Sequence, residues 1–169
     1  MGARRVAYFE KPDLSELFST EGGVLSSSFE YLHDATRPQF ISDRRASTGE
    51  YALVMIDRAP YSPSFRMQME AGVNALKGSF SYWSLYPDSI TLVTERKADQ
   101  FWKATRIHLE ESTADQWQEQ SFELSLPVDE RGEPFKMYLW KDSESMNLIY
   151  IDALMLVPLH TISEVDQRQ

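Results

Sequence analysis

Short runs of alternating apolar and polar residues recur along the chain, each followed by turn-forming residues. In residues 64–70, Phe65, Met67 and Met69 alternate with polar neighbours. Residues 135–140 repeat the pattern with Phe135 and Met137. A two-residue period is typical of a β-strand with one face in the core, so these runs predict strands.

The same criteria, applied along the whole chain, give ten candidate runs and predict about nine strands and little helix. The candidate runs are residues 4–10, 23–32, 50–57, 64–70, 80–86, 89–95, 101–109, 121–126, 135–140 and 147–158. Two segments, 13–18 and 112–120, have helix-compatible residues but are too short to form a layer. The pattern predicts an all-β fold, a jelly-roll-like sandwich of two antiparallel sheets. We expect one domain over residues 4–159 and a polar tail over residues 160–169.

Charge and composition exclude several function classes. The chain has 26 acidic against 17 basic residues, a formal net charge of −9. Such a surface repels phosphate backbones and anionic lipids, so we expect neither nucleic-acid binding nor membrane insertion. There is no cysteine, which excludes disulfides and thiolate zinc sites. No apolar run is long enough to span a membrane, and the first residues lack the apolar segment of a signal peptide.

Three segments together resemble the jelly-roll carbohydrate-binding modules of the galactose-binding-like type, which are common in secreted bacterial proteins. Residues 42–53 resemble a turn followed by a Tyr-Ala-Leu strand, here ending at Leu53, and residues 78–88 resemble a strand containing Trp83. Residues 149–156 resemble a closing Tyr-Ile-Asp-Asp-Ile strand, with Ala153 in place of the second Asp. The resemblance spans roughly residues 8–158. It implies a module excised from, or part of, a larger extracellular or cell-surface protein.

The resemblance also implies a structural calcium ion. Its ligands in such modules are an acid of the first strand, loop carbonyls and the Asp of the closing strand. The matching positions here are Glu10, the loop near Asp43 and Thr48, and Asp152. A carboxylate inside an apolar strand such as 147–158 is costly unless it is paired or metal-bound. The alternative is that Asp152 caps loop amides or pairs with an arginine such as Arg44 or Arg45.

The alternation also predicts a polar and aromatic surface. If Ile107, Leu109 and Met137 point into the core, their neighbours along the strands point outward. The outward set is Trp102, Arg106, His108, Lys136, Tyr138 and Trp140, and Arg66, Gln68 and Glu70 extend it if their strand joins the same sheet. Flat aromatic rings stack on sugar C–H faces, and polar side chains bond the hydroxyl groups. We therefore predict that Trp102, Tyr138 and Trp140 stack on a glycan, with Arg106 and His108 as hydrogen-bonding partners.

The predicted function is a non-catalytic carbohydrate-binding module for a neutral glycan. One alternative is a structural or adhesion domain of a larger surface protein, in which a loop or another chain covers the aromatic strip. A second is a polysaccharide lyase-like enzyme that uses Arg106, His108, Gln68 and Tyr138. His33, His108 and His160 have no metal-ligand spacing, and neither a nucleophile elbow nor a phosphate-binding glycine loop is present.

Overall fold

The computed structural model describes residues 17–20, 24–30, 40–70, 72–127, 133–141 and 146–159. This part of the chain contains ten strands: β1 Leu25–Ser27, β2 Ile41–Ser42, β3 Ala52–Met55, β4 Phe65–Met67, β5 Ala75–Ser84, β6 Asp88–Arg96, β7 Phe101–Leu109, β8 Gln118–Ser125, β9 Phe135–Lys141 and β10 Ile149–Leu159. Every strand pair is antiparallel. The predicted all-β fold is therefore confirmed.

The strands form two sheets that face each other. One has six strands in the order β2-β3-β10-β5-β8, with β1 also paired to β10, and the other has four in the order β4-β9-β6-β7. A single apolar cluster takes buried side chains from both sheets, including Leu53 and Ile151 from the first and Leu92 and Met137 from the second. The shared core makes the architecture the predicted two-sheet sandwich.

One prediction about local structure is wrong. The segment 112–120 is not helical: a turn is followed by β8, which begins at Gln118. The backbone N–H of Ser112 donates to the carbonyl of Ser84, and the indole Nε1 of Trp83 donates to the carbonyl of Thr113 at 3.1 Å. These long-range contacts hold the segment in an irregular path. The predicted first strand, residues 4–10, lies outside the described residues.

The closing strand β10 changes partner halfway along its length. Along one edge it pairs with β5 throughout, whereas along the other it pairs with β3 up to Ile151 and with β1 from Leu154. The register shifts between Asp152 and Met155, and Ala153 adopts a left-handed φ of 50°. Asp152 thus lies at the bulge, at the point where the pairing partner of β10 changes from β3 to β1.

A buried asparagine fixes the start of the same strand. The Nδ2 atom of Asn147 donates to the hydroxyl of Ser84 and to the carbonyl of Tyr86, at 2.8 and 3.0 Å. Its Oδ1 atom accepts the backbone N–H groups of Tyr86 and Leu148. Because these bonds satisfy the buried amide on both sides, Asn147 joins β10 to the connection between β5 and β6, which lie in different sheets, at little cost.

Neighbouring residues of β6 test the assignment of faces. Leu92 is 1% exposed in the core, whereas Thr91 lies on the outer face between Trp140 and Arg106. We expect Leu92→Ala to lower the free energy of unfolding by about 2–5 kcal/mol, since it leaves a cavity. We expect Thr91→Ala to change it by less than about 1 kcal/mol. Urea unfolding of both variants measures the difference, and equal losses would contradict the assigned faces.

Candidate functional site

The outer face of the four-stranded sheet carries the residues that the alternation placed there. In β9, Phe135, Met137 and Leu139 are buried, and Lys136, Tyr138 and Trp140 between them are half-exposed. In β7, Trp102, Arg106 and His108 are exposed. The predicted side chains therefore share one face of one sheet. Arg66 joins them because β4 pairs with β9.

The strand order divides these residues into two groups. Strand β6 lies between β9 and β7, with Thr91 opposite both Trp140 and Arg106. Trp102 is opposite Glu95, two outward positions further along the sheet. Two strand spacings and four residues separate Trp102 from Trp140, roughly 16 Å. The three predicted stacking residues do not form one continuous platform, and a single sugar ring cannot touch both tryptophans.

A tyrosine that the sequence pattern did not single out completes the aromatic group on β9. Tyr61 forms an isolated bridge with Trp140. Its ring lies 6.3 Å from that of Trp140 with an interplanar angle of 17°, and 6.0 Å from that of Tyr138 in an edge-on arrangement. Tyr61 is 53% exposed. These three residues, called the aromatic cluster below, form a group of partly exposed rings.

The electrostatic environment of this cluster affects Tyr138. Burial is the largest cause that raises the pKa of Tyr138, and the negative charge of Glu95 adds to it. The hydroxyl is therefore protonated well above neutral pH and can both donate and accept hydrogen bonds. That is a useful property beside a stacking surface for sugars.

The second group lies across Thr91, on β7. Arg106 and His108 line an open depression of about 600 Å³ together with Pro87, Asp88 and Ser89. The Nε atom of Arg106 donates to the hydroxyl of Ser89 at 2.8 Å, which fixes the direction of its guanidinium group. Within the described residues, the remaining N–H groups of Arg106 make no other bond and could bind a ligand.

The proposed lyase residues lie on this face but not together. Gln68 follows β4, and Tyr138 is on β9. Arg106 and His108 are on β7, beyond β6. General acid–base chemistry requires the reacting groups to meet at one atom. The arrangement fits an extended binding surface better than a catalytic centre.

Trp83 and Trp117 belong to the opposite side of the molecule. Trp83 is 5% exposed and packs with Ala52, Val54 and Tyr150 in a second apolar cluster, against which Trp117 rests. The guanidinium of Arg45 lies 3.9 Å from the centre of the Trp83 ring. The segment after β7 thus packs against the Trp83 ring. Both tryptophans have a structural role.

Asp152, the candidate metal ligand of the closing strand, is fully buried and caps a loop. Its Oδ2 atom accepts the backbone N–H groups of Ser47 and Thr48 at 2.9 and 3.0 Å, and the Ser47 hydroxyl at 3.2 Å. Its Oδ1 atom accepts the N–H of Ala153 at 2.7 Å. The alternative interpretation, a cap for loop amides, is therefore what the described residues show.

The calcium prediction is not decided by these contacts. Among the described residues no three His, Asp or Glu side chains are grouped to hold a metal ion. Glu10, the other predicted ligand, lies outside those residues. Since Oδ1 of Asp152 accepts one hydrogen bond where Oδ2 accepts three, Oδ1 is the carboxylate oxygen with capacity left for an ion.

Comparison with known proteins finds similarity to solved structures only. No family model matches the sequence. No curated protein matches it either. The structure is similar to a xylan-binding domain of family 22 from Paenibacillus barcinonensis, with 13% identity, coverage of 86% of this chain and 87% of that one, and a TM-score of 0.49. It is also similar to a family 61 module in complex with β-1,4-galactotriose, with 14% identity, coverage of 89% and 97%, and a TM-score of 0.47.

A third similar structure is a Paenibacillus cycloisomaltooligosaccharide glucanotransferase, with 12% identity and a TM-score of 0.50. The match covers 68% of this chain and 16% of that enzyme. These similarities concern the fold alone. Carbohydrate-binding modules are thus among the solved structures that the chain resembles, as the sequence indicated. In the described residues no helix is long and apolar enough to cross a membrane.

The buried carboxyl group predicts a pH dependence of stability. Burial is the largest influence on the pKa of Asp152 and raises it above the ordinary value of 3.8, although the four hydrogen bonds oppose the rise. A raised pKa in the folded state means that the folded chain holds the proton more tightly. Protonation of Asp152 therefore stabilises the folded state. This stabilisation is complete below pH 3.8 and is lost as the pH rises through the pKa that Asp152 has in the folded state.

Asp152→Asn removes this titration and replaces one acceptor with a donor. We expect the variant to be less stable than wild type by about 1–3 kcal/mol at pH 7, because a loop N–H loses its acceptor. Only the wild-type protein loses the stabilisation from a protonated Asp152 as the pH rises. We therefore expect the difference in unfolding free energy between wild type and variant to narrow from about pH 4 to pH 7. Urea unfolding across that range measures it, with Ser47→Ala as a control that keeps the carboxyl group. A difference independent of pH would contradict this account.

Proposed function

We propose that the chain is a non-catalytic carbohydrate-binding module, and that a neutral glycan binds to the outer face of its four-stranded sheet. The observation that carries the proposal is the aromatic cluster, because the rings of Tyr61 and Trp140 are nearly parallel, 17° apart, and both reach solvent. Sugar rings present apolar C–H faces that stack on such surfaces. An exposed aromatic surface on a soluble domain marks a binding site more often than chance.

The residues around the cluster supply the polar half of the interaction. Tyr138 offers a protonated hydroxyl, Thr91 forms the floor between β9 and β7, and Arg106 lies on the far side with free donors. A glycan bound across the strands would contact the stacking rings at one end and the hydrogen-bonding groups at the other. Trp102 would touch only a ligand of several sugar units, because of its distance from Trp140.

The adhesion alternative predicts that the aromatic strip is covered. Trp102 is 61% exposed, and within the described residues Tyr138 and Trp140 are only partly covered, with Tyr61 packed against them. An open surface favours a ligand from solution. A glycan-binding module acts where polysaccharide is found, so we propose an extracellular or cell-surface location as part of a larger protein.

Two tyrosines of nearly equal exposure provide a matched test. Tyr61 is 53% exposed in the aromatic cluster, and Tyr86 is 52% exposed at the β5–β6 turn, outside the sheet face. We expect Tyr61→Ala and Trp140→Ala to weaken binding of a glycan found on an array of neutral oligosaccharides by at least about tenfold. Tyr86→Ala should change the affinity less than about twofold. Calorimetric titration measures all three.

Two results would contradict the proposal. One is an array without any bound glycan. The other is an equal loss of affinity in Tyr61→Ala and Tyr86→Ala, which would show that the cluster is not where the glycan lies.

We also propose a structural calcium ion held by Glu10 and Asp152, in support of which Asp152 has one carboxylate oxygen with spare capacity. A hard oxygen-ligand ion bound only to the folded state raises its stability. We expect 1 mM Ca²⁺ to raise the melting temperature over that in EDTA, and Asp152→Asn to abolish the rise. Equal melting temperatures of the wild-type protein in both buffers would rule out the ion.

A further inference from the structure

Two basic side chains lie directly opposite each other on the proposed binding face. Arg66 of β4 pairs with Lys136 of β9, and both alternate with buried core residues. Side chains at such positions have Cβ atoms about 5 Å apart, and like charges there destabilise a sheet. The juxtaposition is therefore unfavourable unless an anion compensates it.

The compensation available in the described part of the chain is incomplete. Glu95 lies 3.5 Å from the ammonium group of Lys136, and the two side chains are 31% and 42% exposed. The buried Arg96 nearby is already paired with Asp99 at 2.7 Å. Arg66 is exposed, and within the described residues no ion pair neutralises it. Among the described residues, the charge of Arg66 therefore has no partner in an ion pair.

The surroundings of Arg66 form a small cavity of about 140 Å³. Lys97 and Lys136 line it with Arg66, and Glu95 and Glu133 also contribute. This local concentration of bases contrasts with the net charge of −9 for the whole chain. At physiological salt, charges beyond about 8 Å are largely screened, so a ligand in the cavity experiences the nearby bases rather than the distant acids.

The cavity and the aromatic cluster include neighbouring positions of β9. Lys136 and Tyr138 are consecutive outward residues of β9, about 7 Å apart along the strand. A sugar stacked on the cluster would thus bring its substituents within reach of the two cations.

We propose that this end of the face binds an anionic group of the glycan, a uronic acid carboxylate or a sulfate ester. The inference rests on the proposed function and specifies its ligand: a chain of neutral sugars that carries acidic residues. Arg66 supplies a planar pair of N–H donors that matches the two oxygens of such a group, and Lys136 supplies a second positive charge.

The test compares neutral glycans with their uronate-bearing and sulfated counterparts on one array, using wild type, Arg66→Gln and Lys77→Gln. Lys77 is an exposed lysine on the outer face of the other sheet and serves as the matched control. We expect wild type to bind an acidic form at least about tenfold more tightly than the neutral form. Arg66→Gln should remove most of this preference and leave neutral binding within about twofold. Raising the salt concentration should weaken only the acidic form.

The outcomes separate this inference from the proposed function. If neutral and acidic forms bind equally, or if Lys77→Gln has the same effect as Arg66→Gln, the anion site is wrong while glycan binding stands. If nothing binds, both are wrong. A preference for sulfated over uronate-bearing glycans, or the reverse, identifies the anionic group.

Discussion

The two-residue alternation of side chains in β6, β7 and β9 is the constraint on which both the core and the proposed binding face depend. It places Ile90, Leu92 and Met137 inside, whereas Thr91, Lys136 and Tyr138 lie partly exposed on the outer face. A slip of one residue in β9 would bury Lys136, Tyr138 and Trp140 and expose the apolar set. Burial of the apolar residues thus fixes the register. The register in turn fixes which side chains lie on the proposed binding face.

The other sheet is organised around β10. This strand joins β5 to β3 and β1, and its bulge moves Asp152 into the gap between the last two. The carboxylate accepts hydrogen bonds from the loop amides of Ser47 and Thr48. The closing strand therefore both completes the sheet and fixes the loop before β3. Its one charged residue is explained by structure first, and a calcium ion would add to that role.

The sequence was informative wherever a strand was long and amphipathic. The bounds predicted for β7 agree with the structure, and the outward side of β7 and β9 followed from the pattern alone. The two-residue strand β2 is too short to leave a pattern. The helix-compatible segment 112–120 is irregular because its contacts with Trp83 and Ser84 outweigh its weak helix propensity.

The composition of the aromatic platform depended on contacts that a single sequence does not contain. Tyr61 lies in a segment without alternation and reaches Trp140 through an isolated bridge. Trp102 is separated from Trp140 because β6 lies between their strands, which is a property of strand order. The opposition of Arg66 and Lys136 likewise follows from the register of β4 with β9. The side chains that lie on this face were thus predictable, and their grouping was not.

The central claim is that a glycan binds to the outer face of the four-stranded sheet. The chain has four tryptophans, and each indole N–H gives its own NMR signal. Trp140 and Trp102 report on the proposed face, whereas Trp83 and Trp117 belong to the opposite cluster. Titration of ¹⁵N-labelled protein with the oligosaccharide that binds best on the array should shift the Trp140 indole first. Shifts confined to Trp83 and Trp117, with Trp140 and Trp102 unmoved, would contradict the account.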